Sequence, residues 1–136
     1  AGQEKYMSIN KNLFQRVQGI ILMYDITNIE SFNNLEMWME HIRENSNGSP
    51  LILIGNKNDL VNDRKVSKEK GETFAKDNDI IFLEASAKSG ANVDECFTQL
   101  GQVIIQDENF IINKEKSKNE YIISKNTSSK KKKNCC

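Results

Sequence analysis

The chain has 136 residues, 38% of them hydrophobic and 28% charged, enough for one domain and no more. Its zero net charge is a sum of opposites. From Lys114 onward eight Lys face only Glu115 and Glu120 for +6, while residues 1–113 hold 11 basic and 17 acidic side chains for −6. An acidic body with a basic tail points to a membrane or nucleic-acid contact for the tail. The longest apolar run, Ile20–Met23 with its flanks, is far too short to span a bilayer, and no N-terminal stretch reads as a signal peptide. Ala1 stands where an initiator Met is absent, which fits a numbering that starts inside a longer protein.

In chain order the first structural signal is "GIILMYDI", Gly19–Ile26, apolar on both faces and rich in Ile and Leu. After Ser31 as an expected N-cap, Phe32, Leu35, Trp38, Met39 and Ile42 recur at helical spacing. "LILIG", Leu51–Gly55, is a second apolar strand, and a weaker helix follows Ser67 with Thr73, Phe74 and Ala75 expected on its inner side. "IIFLEA", Ile80–Ala85, is the third strand. "NVDE" opens a third helix in which Asn92 can cap and Glu95 can reach back, with a stripe of Val93, Cys96, Phe97, Leu100, Val103 and Ile104. Near-continuous apolar strands alternating with helices predict an α/β fold: three parallel strands alternating with three helices, the sheet covered on both faces. After Ile112 the chain turns polar, interrupted only by Tyr121–Ile123, and reads as a disordered tail over residues 114–136.

Open parallel sheets bind ligands at the carboxyl ends of their strands. "NKND", Asn56–Asp59, ends the second strand, and "EASAK", Glu84–Lys88, ends the third. Asp59 is an acceptor with two oxygens side by side. Guanine presents two adjacent donors, whereas adenine presents an acceptor and no amine there, so one carboxylate can separate the two bases. Lys57 can lay its methylene stem across a flat ring, and Asn56 can tie the two loops together. A backbone N–H near Ala87 can donate to the guanine oxygen, and Lys88 can cover the other ring face. Taken alone, "NKND" also fits a polar turn; two such loops at neighbouring strand ends make that reading the weaker one.

"GNKND" followed about thirty residues later by "EASAK" resembles the base-recognition pair of the small GTPases. "AGQEKY", Ala1–Tyr6, looks like the end of their second switch segment. "GIILMYDIT", "SFNNLEMWMEHI", "LIGNKNDL" and the terminal Cys-Cys resemble the Rab branch, while "LFQRVQG" departs from its usual aromatic stretch. The resemblance implies a partial Ras-like P-loop NTPase fold. Residues 1–113 would be the C-terminal part of a small GTPase domain, from the second switch to the last helix. It implies GTP or GDP as ligand, held by Gly2, Asn56, Lys57, Asp59, Ser86, Ala87 and Lys88. Gln3 would orient the attacking water and the Gly2 N–H would sense the γ-phosphate. It also implies Mg²⁺ in a full-length member.

No G-x-x-x-x-G-K-[ST] occurs in these 136 residues, nor does the first switch with its Thr. The phosphates and Mg²⁺ thus find no cradle in the chain, and base recognition alone is expected to be weak. The first strand is expected to lack a neighbour and to form an exposed apolar edge. An incomplete copy of a longer Rab fits these features, favoured by the intact base motif; a truncated, inactive relative fits them too.

The three cysteines, Cys96, Cys135 and Cys136, make no disulfide framework and point to a reducing compartment. Lys130–Lys133 before Cys135 and Cys136 resembles a Rab prenylation tail, which implies geranylgeranyl groups on both cysteines. The partners this implies are a Rab escort protein, a geranylgeranyltransferase, exchange and activating proteins, effectors and the cytoplasmic face of an endomembrane, with no nucleic acid. A solvated tail or nucleic-acid patch is the plain alternative for the lysines, and a redox or metal pair for the cysteines. His41, the only histidine, is expected on the polar side of its helix, and Cys96 and Trp38 are expected in packing. The function expected is guanine-nucleotide binding and GTP hydrolysis in vesicle transport. The rival is a lipid-anchored interaction module without catalysis.

Overall fold

A computed structural model describes residues 14–106. The expectations for Gly2, Gln3, Cys135 and Cys136 and for the tail lie outside the described residues. Strand β1 (Ile20–Asp25) leads into α1 (Ile29–Asn33) and α2 (Leu35–Asn45). Strand β2 (Leu51–Asn56) follows, then a short 3-10 turn (Val61–Asp63), α3 (Lys68–Asp77), β3 (Ile81–Glu84) and α4 (93–106). The sheet runs β1-β2-β3, all parallel, with Ile20 opposite Leu51, Asp25 opposite Asn56 and Gly55 opposite Glu84. The strand register brings the carboxyl ends of all three strands to one rim, the end at which parallel sheets bind ligands.

The two sheet faces are packed unequally. Ile20, Leu22 and Tyr24 on β1 and Leu53 on β2 join Leu35, Met39 and Ile42 of α2 and Ala75 of α3 in the larger core. The second face is thinner: Ile54, Ala85 and Cys96 form a small cluster with Ile21 and Leu83 against it. Met23 is 50% exposed and Phe97 62% exposed. The expected apolar stripe of the last helix is therefore buried at Cys96 but open at Phe97. Among the described residues β1 pairs only with β2, which leaves it at a sheet edge as expected.

Local chemistry explains where the helices differ from expectation. The helix expected to run on from Ser31 is two helices, broken at Asn34. Two consecutive Asn residues are poor helix formers that compete for backbone hydrogen bonds. Asn34 sits at φ −75 and ψ −7 and gives its N–H to α1, while its carbonyl accepts the Trp38 N–H of α2. The N-cap is Asn28, not Ser31: its Oδ1 accepts the N–H groups of Glu30 at 3.0 Å and Ser31 at 3.4 Å. The Ser31 hydroxyl instead donates to the Asn28 carbonyl at 2.7 Å and accepts the Asp25 N–H at 3.0 Å. The helix expected after Ser67 starts there, and Ser67 caps it by accepting the Lys70 N–H. Thr73, expected inward, is exposed, because Gly71 and Ala75 set the buried face of α3.

Gly71 is what lets α3 sit on the sheet, since a Cβ there would lie 2.5 Å from Phe82 Cζ and 2.6 Å from the Tyr24 hydroxyl. Asn92 does not cap α4 with its side chain. It stands at φ +58, and its Nδ2 donates to the Glu84 carbonyl at 2.8 Å. Glu95 accepts from Gln99 Nε2 instead of reaching back. His41, expected on the polar side, is half-buried, edge-on to Phe14 at 5.4 Å and to Trp38 at 6.3 Å.

Candidate functional site at the strand ends

Each strand of the sheet stops in a polar residue, and the register puts the first two side by side and the third one position back, opposite Gly55. β1 ends in Asp25, β2 in Asn56 and β3 in Glu84. The chain turns sharply after β2. Lys57 takes φ +68, the left-handed region, and its carbonyl accepts the Leu60 N–H at 2.9 Å. A non-glycine residue there is uncommon and marks a constrained turn. The result is a tight loop whose side chains fan out along the rim.

The loop after β3 is bound to the loop after β2 by three contacts. Asn56 Oδ1 accepts the Ala87 N–H at 3.1 Å. The Asn58 N–H donates to the Ala85 carbonyl at 3.1 Å. The Ser86 hydroxyl donates to Asp59 Oδ1 at 2.5 Å, and Ser86 Oγ itself accepts the Ser89 N–H at 3.1 Å. Ser86 is fully buried at this junction, while Asp59, Lys57, Ala87 and Lys88 are exposed. A buried hydroxyl with both roles used is a rigid post. It fixes one oxygen of Asp59 and leaves the carboxylate at the surface, in no ion pair among the described residues.

The structure thus brings Asn56, Lys57, Asp59, Ser86, Ala87 and Lys88 onto one rim. Asn56 links the two loops, the task assigned to it on the sequence. The Ala87 N–H is engaged with Asn56, so a purine oxygen arriving there meets a donor already in use. Such an array offers a carboxylate, the aliphatic stem of Lys57 and the ammonium of Lys88 to a flat polar ring. Among the described residues no group of three or more His, Cys, Asp or Glu side chains could hold a metal ion.

Two features of the rim escaped sequence reasoning. The first is Asp25, whose Oδ2 pairs with Lys57 Nζ at 2.6 Å. Its Oδ1 accepts both the Thr27 N–H at 2.9 Å and the Thr27 hydroxyl at 2.7 Å. Burial, the largest single influence, pushes the Asp25 carboxyl up, but Lys57 and Thr27 together outweigh it and hold it below its ordinary value. The available signal was a polar or charged residue closing an apolar strand, the same signal that singled out Asn56. The second is Arg64, which grips Glu84 with two bonds, of 2.6 Å and 2.9 Å. That bidentate hydrogen bond raises the Arg64 guanidinium above its usual value. No spacing links residues twenty apart, so the clamp is visible only in three dimensions.

A groove of about 530 Å³ lies beside the rim, between α3 and β3, and touches it at Asn58, Glu84 and Asn92. Lys68, Glu72 and Phe82 form part of its wall, and the exposed carboxylate of Asp59 is not among its lining residues. The chemistry of the motif residues, rather than concavity, marks the site. Residues 1–106 match the model of the Ras family.

Proposed function

The chain belongs to the Ras family of small GTPases, and from that premise we propose that it is a Rab-type member whose strand-end loops read guanine. In this reading Asp59 accepts from the ring N–H and the exocyclic amine of the base. Lys57 and Lys88 flank the ring, Asn56 and Ser86 hold the loops, and Ala87 borders the guanine oxygen. Gly2 and Gln3 would act at the γ-phosphate. The observation that carries the reading is the Ser86–Asp59 bond of 2.5 Å, which anchors one carboxylate oxygen from the neighbouring loop. A carboxylate fixed in this way is preorganised for a ligand that brings two donors.

The biological role proposed is guanine-nucleotide cycling on endomembranes in vesicle transport. Exchange and activating proteins would drive the cycle, effectors would read it, and Cys135 and Cys136 would carry prenyl groups added with the help of an escort protein. No G-x-x-x-x-G-K-[ST] segment occurs within these 136 residues.

The test is a titration of the chain with GDP, IDP and ADP, followed by amide chemical shifts. Inosine lacks only the exocyclic amine, so it gives up one of two charge-assisted bonds. We expect IDP to bind about tenfold to a hundredfold more weakly than GDP. Shifts should centre on Asn56–Asp59 and Ser86–Lys88, with ADP giving little. Equal binding of all three would overturn base reading and favour the lipid-anchored interaction module.

A further inference from the structure

Lys57 does not reach toward Asp59 and the loop after β3. Its ammonium points the other way, to Asp25 at the end of β1, at 2.6 Å. The stem therefore runs along the rim from the end of β2 to the end of β1, strands that pair Asp25 with Asn56. The carboxylate that receives it is set independently of the lysine. Thr27 holds Asp25 Oδ1 through its N–H and its hydroxyl, and this leaves Oδ2 for Lys57. The Asp25 side chain is 23% exposed and that of Lys57 48%, so the pair sits at the surface of the rim with nearly half of the lysine side chain open.

We propose that Asp25 is a positioning residue for nucleotide binding: with Thr27 behind it, it pins Lys57 across the rim so that the methylene stem forms a preset floor for the base. The proposal rests on the guanine reading above and adds to it a residue on a different strand. A lysine is rotamer-rich, and ordering it on ligand arrival would weaken binding. The Asp25 contact does that ordering beforehand.

The experiment uses the full chain, with GDP as probe and ADP as reference. Two readouts run in parallel: GDP affinity, and the rate at which Lys57 is acylated by an amine-reactive acetyl donor, read by mass spectrometry. For Asp25→Asn we expect GDP binding about threefold to tenfold weaker, between a screened surface pair and a charge-assisted bond, with faster Lys57 acylation. Asp25→Glu should restore part of both. Thr27→Val keeps the carboxylate and loses one of its bonds, so a smaller loss in the same direction is expected. It also serves as the second measure if Asp25→Asn fails to fold. In a Lys57→Met background, Asp25→Asn should have no further effect on affinity, because it acts through the lysine.

Unchanged GDP affinity in Asp25→Asn, or an equal loss with and without Lys57, would overturn the proposal while leaving base reading intact. Absence of GDP preference in the parent chain would instead overturn base reading, and this proposal with it.

Discussion

Tyr24 shows how single groups are set by their surroundings. It is 2% exposed, and its ring packs edge-on against Phe32 at 5.1 Å. Its hydroxyl lies between the backbones of Gly55 and Gly71, where a Cβ would come within 2.9 and 2.6 Å, and it has no hydrogen-bond partner among the described residues. A buried unpaired hydroxyl destabilises by roughly 1–3 kcal/mol. Tyr24→Phe keeps the ring and removes that group, so thermal unfolding should shift upward by a few degrees for about 1 kcal/mol regained. A lower midpoint would mean that the hydroxyl has a partner. Burial, with Glu84 adding to it, pushes the phenol from 10.0 to about 12. The folded state thus holds this proton more tightly than the unfolded chain. The linked stability is complete below pH 10 and is lost as pH rises through about 12. Tyr24→Phe should lack that alkaline loss, which denaturant melts between pH 9 and 12 would register.

Among the elements, α3 and α4 use glycine in opposite ways. In α4, a Cβ on Gly101 would meet nothing within 4 Å. Gly101→Ala should therefore stabilise by about 0.5–1 kcal/mol, the helix-propensity difference. In α3, a Cβ on Gly71 would strike Phe82 at 2.5 Å, so Gly71→Ala should destabilise by roughly 1–3 kcal/mol through overpacking. Paired thermal melts check both, and a shift of the same sign in the two variants would contradict this account. The contrast also marks what a sequence can and cannot convey. Strand identity was legible because β1, β2 and β3 are unbroken apolar runs, and buried parallel strands need nothing else. The Asn34 break and the Asn28 cap were not, because several polar residues near Ser31 could serve and the backbone chose the one that suited the turn after β1. The inward face of α3 was misread at Thr73 because Gly71, with no side chain, carries no hydrophobic signal.

For the molecule as a whole, charge and chemistry are divided along the chain. The rim was legible in part because "NKND" and "EASAK" carry their chemistry in adjacent residues. Asp25 and Arg64 were not, since their partners come from other strands and loops. The tail poses the remaining question. Its four lysines, Lys130–Lys133, precede Cys135 and Cys136. One lipid chain gives marginal, reversible attachment, whereas two signals hold firmly, and each lysine near an anionic leaflet adds about 1 kcal/mol. If prenylation is the role of the cysteines, the contributions should separate in cells that carry the modifying enzymes. Replacing both cysteines by Ser should move the chain to the soluble fraction, since four lysines alone are screened within a Debye length. Replacing one should give partial attachment. Replacing the lysines by Gln with both cysteines intact should keep the chain on membranes but reduce its preference for anionic ones. Membrane association that survives the double Ser replacement would mean that the basic run or another surface does the binding, and the lipid reading would fall.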